Sequence, residues 1–275
     1  MSAPDARLLG AGIVGVGLLG PGLADWPRGA AVLRGDAAWC EARTELPAPQ
    51  GLPPAERRRA NASIKLTLAT GCEALAMAGR RAADLRTVFA GSGGDGANCH
   101  ALCEALASSD RRISPTRFHH SVHNAASGYW GIAMQAMAAS SVLCAPHDGS
   151  FAAGLLEAMV QIDTAGEDVL LLVYDTDYPE PLRSARPIPD SFGVALLLSP
   201  HGGAPGLARV ALDPAALHRG EPAGSMAQPG LEAMRRAIPA ARSLPLLQRL
   251  ARREAGCVLI EHLPGRALAV ELQPC

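Results

Sequence analysis

The chain has 275 residues, a net charge of −1, 48% hydrophobic residues and only 4% aromatics. This length and apolar content allow a sizeable core in one large domain or two small ones. The near-zero charge gives no field to draw in nucleic acid or an anionic membrane, and so few aromatics cannot build base-stacking platforms.

Residues 7–16 read as a buried strand, with a glycine-rich turn at 17–22. The apolar run 8–24 resembles a signal peptide or membrane span, but six glycines and Pro21 interrupt it, and only Asp5 and one basic residue, Arg7, flank it on the N-terminal side. No other segment is long enough to span a bilayer. Residues 26–35 suit a short helix, and the proline-rich stretch 45–54 a loop. From 61 to 78, Ile64, Leu68, Cys72 and Leu75 recur at helical spacing. A short strand at 86–91 runs into Gly-Ser-Gly-Gly-Asp-Gly, followed by a helix over 97–107. Residues 111–124 are polar and loop-like, and 125–139 read as a buried helix. A short strand at 141–145, a turn at 146–149 and a helix over 151–162, apolar on nearly all sides, come next. Continuous apolar runs at 168–174 and 192–199 predict buried strands. Strands alternating with helices imply an α/β layered fold with a mainly parallel sheet. Beyond residue 200 the sequence is rich in Gly, Pro and Ala, with a strand-like piece at 207–212, a short helix at 246–255 and a hairpin formed by 257–262 and 266–273.

Several motifs have a chemical reading and a plainer one. Gly10, Gly12 and Gly15 match the dinucleotide fingerprint, but no helix follows to hold a pyrophosphate; a strand passing close to a helix explains them better. Cys99 with Cys103 and His119 with His123 have the look of zinc-ligand pairs, yet the four-residue spacing is not the usual structural one, so small core cysteines and a polar loop are expected. The seven cysteines, an odd number, read as reduced thiols of a cytosolic protein. His147, Asp148 and Ser150 bring together an imidazole, a carboxylate and a hydroxyl. Triad members are assembled from separate loops, so a turn with Ser150 or Asp148 as helix N-cap is the expected role.

In order and spacing, the segments resemble the N-terminal half of the β-ketoacyl synthases of the thiolase superfamily. Leu8-Leu-Gly-Ala-Gly-Ile-Val-Gly resembles that family's first strand, and Val88-Phe-Ala-Gly-Ser-Gly-Gly-Asp-Gly its second strand and turn. Ser114-Pro-Thr-Arg-Phe through Asn124-Ala-Ala-Ser-Gly resembles its Pro-x-x-Phe…Asn-x-Ala-x-Gly loop. Arg186-Pro-Ile-Pro-Asp-Ser-Phe-Gly resembles the segment leading to its fifth strand. The likeness covers about residues 7–200.

The resemblance implies a single thiolase-like half, a five-stranded mixed sheet with flanking helices over 1–200, and a C-terminal extension over 201–275 with a helix and a β-hairpin. It also implies a departure. Condensing enzymes hold a nucleophilic cysteine just before the central helix, and the matching position here is Asp148 or Gly149, neither of which can form an acyl thioester. Cys144 falls several residues early. His201, His218 and His262 have no recognisable setting, and Lys65 is the only lysine. The chain is therefore most similar to the inactive chain-length-factor subunits, in their short form from aryl polyene pathways. That implies no catalytic residue, cofactor or metal. It implies a heterodimer with a full-length β-ketoacyl-ACP synthase, with Ser141, Val142, Leu143, Cys144 and Asn124 at the interface, and an acyl carrier protein engaged indirectly. Asn124 is expected to cap or brace a loop, and the tail to shield the central helix in part. The competing expectation is an acyl-thioester condensing or hydrolysing enzyme using Cys144, or Asp148 with His147.

Overall fold

The computed structural model describes residues 8–144, 147–200, 206–214 and 221–275. Ala145, Pro146, His201 and His218 lie outside the described residues, as does the side chain of His147.

Among the described residues, one sheet of eight strands organises the fold, in the order β3-β2-β4-β5-β1-β6-β8-β7. The strands are β1 (Leu9–Leu19), β2 (Arg86–Gly91), β3 (Ser140–Cys144), β4 (Val169–Asp175), β5 (Phe192–Ser199), β6 (Ala208–Leu212), β7 (Gly256–Leu263) and β8 (Arg266–Pro274). The first five form the expected mixed thiolase-like half. The extension adds three more strands to the same sheet, because β6 pairs antiparallel with Leu9 through Ile13 of β1. The expectation of a mainly parallel sheet is corrected: only β2–β3 and β2–β4 are parallel. The chain returns from β4 to β5 with no helix longer than four residues, α8 by number (Leu182–Ala185), and so pairs antiparallel.

The helices in chain order are α1 (Trp26–Arg34), α2 (Pro54–Arg59), α3 (Ala62–Ala78), α4 (Gly96–Ala107), α5 (Pro115–His119), α6 (Ala125–Met134), α7 (Ser150–Ala165), the short α8, α9 (Pro229–Ala237) and α10 (Leu244–Arg252). Strand alternation sorts the core into two layers. Val169, Leu171 and Val173 of β4 join α1, α7 and α10 on one face; Leu170, Leu172 and Tyr174 join α3 and α6 on the other.

The glycines of β1 mark a close approach. A Cβ on Gly15 would lie 2.2 Å from the Ala74 carbonyl oxygen and one on Gly17 1.9 Å from that of Thr70, so β1 lies against the backbone of α3. Gly17 is therefore inside the strand, and the turn expected at 17–22 begins only after Leu19. The Glu73 carboxylate, on α3, accepts the backbone N–H of Leu18 at 2.8 Å and of Trp26 at 2.6 Å, tying α3 to β1 and to the start of α1.

The expected helix over 125–139 stops at Met134, where Gln135 turns left-handed (φ 52°). It is not uniformly buried, since Ile132 is exposed. The loop expected at 111–124 contains α5, and α9 arises where no element was expected. In α7, Phe151, Leu155 and Met159 are fully buried and only Val160 among its large apolar residues is exposed. Burying each such side chain contributes roughly 1.5–3 kcal/mol. Part of that cover comes from the chain's own extension, through the turn Pro239–Ser243 and β7.

Candidate functional site

The start of α7 is the position that the resemblance assigns to the nucleophile, and a helix N-terminus favours an anion. Here a 3-10 turn, His147–Gly149, leads into Ser150. Neither Asp148 nor Ser150 caps the helix, which corrects the expected role of both: the N-cap position is Gly149, with no side-chain hydrogen bond. A Cβ on Gly149 would lie 1.9 Å from the His262 carbonyl oxygen of β7, so no side chain fits at that position. Ser150 is fully buried, and its hydroxyl has no hydrogen-bond partner among the described residues.

Asp148 is engaged elsewhere. Its Oδ2 accepts a hydrogen bond from Arg242 Nη2 at 2.7 Å. Its Oδ1 lies 2.7 Å from Arg186 Nη2, out of line for a hydrogen bond, so that contact is one of charge. Arg242 belongs to the turn Pro239–Ser243; its side chain is only 9% exposed, and it also ion-pairs with Glu261 of β7. With one oxygen on each guanidinium group, the carboxylate is held in place and is not free to swing onto a substrate carbonyl. The His262 imidazole is driven toward its neutral form by burial.

Behind this cluster, Asp175 ends β4 fully buried. It accepts the backbone N–H and hydroxyl of Ser92 and, at 2.7 Å, the backbone N–H of Ala240. Burial pushes its carboxyl up to about 6 against those hydrogen bonds. A second polar chain braces the loop after α5: His120 Nε2 lies 3.0 Å from the Tyr129 hydroxyl, which donates to Glu56 at 2.9 Å. Burial, followed by the Glu56 hydrogen bond, pushes the Tyr129 hydroxyl up to about 12.

The other expected residues are scattered. Cys144 is exposed at the end of β3. Ser141 hydrogen-bonds Gln161 of α7 at 2.9 Å. Val142 and Leu143 are half-buried and pack into opposite core layers. Asn124 is exposed, and its side chain makes no capping bond, which corrects the capping role expected of it; only its carbonyl is used, by Ser127 and Gly128. Cys99 and Cys103 are exposed on α4 rather than in the core, and burial and then its neighbour Cys103 push the Cys99 thiol up. Among the described residues no group of three His, Cys, Asp or Glu is placed to share a metal ion, and no helix is long and apolar enough to cross a membrane.

The stretch between β2 and β3 leaves apolar surface open. In α4 only Gly96 and Asn98 are buried. Leu106, Phe118, Val122, Ile132 and Met137 make five of the nine large exposed hydrophobic residues described, and Met137 is 92% exposed. The segment ends in β3, which pairs with β2 on one side and, among the described residues, has no strand on the other.

Residues 33–257 match the family described as beta-ketoacyl synthase, N-terminal domain. The chain belongs to that family. As a ketoacyl-synthase-type chain it is matched further toward the C-terminus than residue 200, so most of the extension lies within the family's span. No curated protein matches it. Among the solved structures that share the fold are the following three. One is the ketosynthase ApeO in complex with its chain length factor ApeC from Xenorhabdus doucetiae, with a TM-score of 0.69, 22% identity, and coverage of 96% of this chain and 99% of that one. Another is the ishigamide ketosynthase/chain length factor, with a TM-score of 0.69, 14% identity and coverage of 96% and 99%. A third is the complex AntDE:AntF, a type II acyl-carrier protein with its ketosynthase, with a TM-score of 0.69, 11% identity and coverage of 98% and 100%.

For this ketoacyl-synthase relative, counting back along α7 located Asp148 and Gly149. Arg242 and Glu261 were missed because they come from the extension, with Arg242 94 positions away from Asp148, and His262 was noted there without a setting. Arg186 stood in a recognised motif without a role.

Proposed function

We propose that this chain is a non-catalytic subunit of chain-length-factor type, pairing with an active full-length β-ketoacyl-ACP synthase in aryl polyene, polyketide or fatty-acid-like biosynthesis. The observation that carries the reading is the start of α7, where Gly149 has no room for a side chain and Asp148 offers a carboxylate held by two arginines. That helix end has no thiolate to accept an acyl group, and the one hydroxyl there, Ser150, is fully buried. Pairing is supported by the open edge of β3 and by the exposed apolar residues of the segment before it, a combination that marks an interaction surface. The partner, rather than this chain, then receives the acyl carrier protein. Ser141, Val142, Leu143, Cys144 and Asn124 belong to the proposed interface, joined by Leu106, Phe118, Val122 and Met137. Residues 201–275 act in this reading as an extension that completes the core of the ketoacyl-synthase part.

Incubating the purified chain with an acyl-carrier thioester tests the non-catalytic half of this reading. The intact mass is expected to be unchanged. An acyl adduct on Cys144, or on Asp148, refutes it.

A further inference from the structure

The Asp148 cluster is more than a lost nucleophile. Arg242 is nearly buried, and a buried guanidinium requires an anion close by. Glu261 supplies one on its far side, while Arg186 has Asp148 as its close ion-pair partner. The two guanidinium groups address separate oxygens of one carboxylate, each at 2.7 Å, Arg242 by a charge-assisted hydrogen bond and Arg186 by charge alone. The pair stands at the N-terminal end of a sixteen-residue helix, whose dipole adds to the positive potential. The unspent Ser150 hydroxyl lies at the same helix end. Yet the Asp148 side chain is 36% exposed, so the carboxylate sits at the mouth of the cluster and solvent reaches it.

We propose that Arg186 and Arg242 form a carboxylate-binding pocket at the start of α7, and that Asp148 is a tethered anion that keeps it filled. Free carboxylates, malonyl-type ones included, are excluded because the internal carboxylate is always present at high effective concentration. Trimming Asp148 empties the pocket without removing the arginines. Gly149, which follows Asp148, lies close against the His262 backbone. The pocket would exist equally in a chain that pairs with no synthase, so a failed heterodimer leaves this proposal standing.

The test is thermal unfolding of the whole chain titrated with malonate, with sodium chloride at matched ionic strength as the control. Wild type is expected to show no malonate-specific shift. Asp148→Ala is expected to melt lower than wild type and to regain most of that loss as malonate saturates the pocket, since a ligand that binds only the folded state raises its stability. Arg186→Ala added to Asp148→Ala should abolish the recovery, an effect that a purely structural role for Asp148 does not produce. Asp148→Ser, which keeps a small polar side chain, carries the same expectation if Asp148→Ala fails to fold. Malonate acting no better than chloride on these single variants, or acting equally on wild type, overturns the proposal.

Discussion

The backbone N–H of Ala240 donates to the Asp175 carboxylate at 2.7 Å, so a fully buried acid at the end of β4 fastens the C-terminal extension to the centre of the sheet. The same carboxylate takes the N–H and hydroxyl of Ser92, in the turn after β2. Three segments therefore meet on one side chain, and its protonation state bears on how firmly they hold.

Asp175 gives a pH dependence with a definite sign. Its carboxyl titrates at about 6 in the folded chain, raised by burial from an ordinary 3.8. The folded state holds the proton more tightly, so the associated stability is fully present below about pH 4 and is lost as pH rises through 6. The difference amounts to about 3 kcal/mol. Urea unfolding of wild type and Asp175→Asn at pH 4.5 and pH 7 should show wild type gaining on the variant at the lower pH. Parallel pH profiles count against this account of the buried acid.

Two asparagines at helix starts should behave differently. Asn61 accepts the Ile64 N–H at 3.0 Å as the N-cap of α3 and donates to Asp95 at 2.6 Å, and Asp95 in turn caps α4. Asn61→Ala should cost about 1–2 kcal/mol. Asn124 makes no side-chain bond at the start of α6, so Asn124→Ala should stay within about 0.5 kcal/mol of wild type. Chemical denaturation of both variants checks the contrast.

The tight packing of β1 on α3 predicts a third contrast. A methyl group at Gly17 meets the Thr70 backbone oxygen at 1.9 Å and cannot be accommodated by a side-chain rotation. Gly17→Ala should destabilise by about 3 kcal/mol or more. Gly128, in α6, has nothing within 4 Å of its would-be Cβ. Gly128→Ala should instead be neutral or stabilising by up to about 1 kcal/mol. Similar melting temperatures for the two variants would contradict the close approach of β1 to α3.

The fold was legible wherever one physical signal dominated. The runs at 168–174 and 192–199 are apolar on both faces, as strands covered by helices on both sides must be, and they became β4 and β5. Caps and left-handed glycines bounded α1 and α3. The length of β1 was not legible, because a glycine that permits close packing looks the same in sequence as a glycine that permits a turn. The helix α9 was hidden by Pro229 and Gly230 at its start, although Leu231 and Met234 lie on its buried side. At the candidate site, Asp148 could be found from its offset to α7. The arginines that define its chemistry could not, since pairing between Asp148 and Arg242 depends on where the extension folds back. The apolar surface around α4 was equally hidden, because the same residues would read as core if anything covered them.

The central claim, a non-catalytic chain that works through a synthase partner, is tested most directly by co-purification. The chain is co-expressed with a full-length β-ketoacyl synthase from the same organism, as wild type and as the Phe118→Glu and Met137→Glu variants. Both side chains are largely exposed, so the variants should fold alone within about 0.5 kcal/mol of wild type. The account predicts that wild type elutes with the synthase as a stable heterodimer, that the two variants elute apart from it, and that the isolated chain releases no carbon dioxide from a malonyl thioester. Separate elution of the wild-type chain and the synthase, or thioester decarboxylation and condensation by the chain alone, contradicts it.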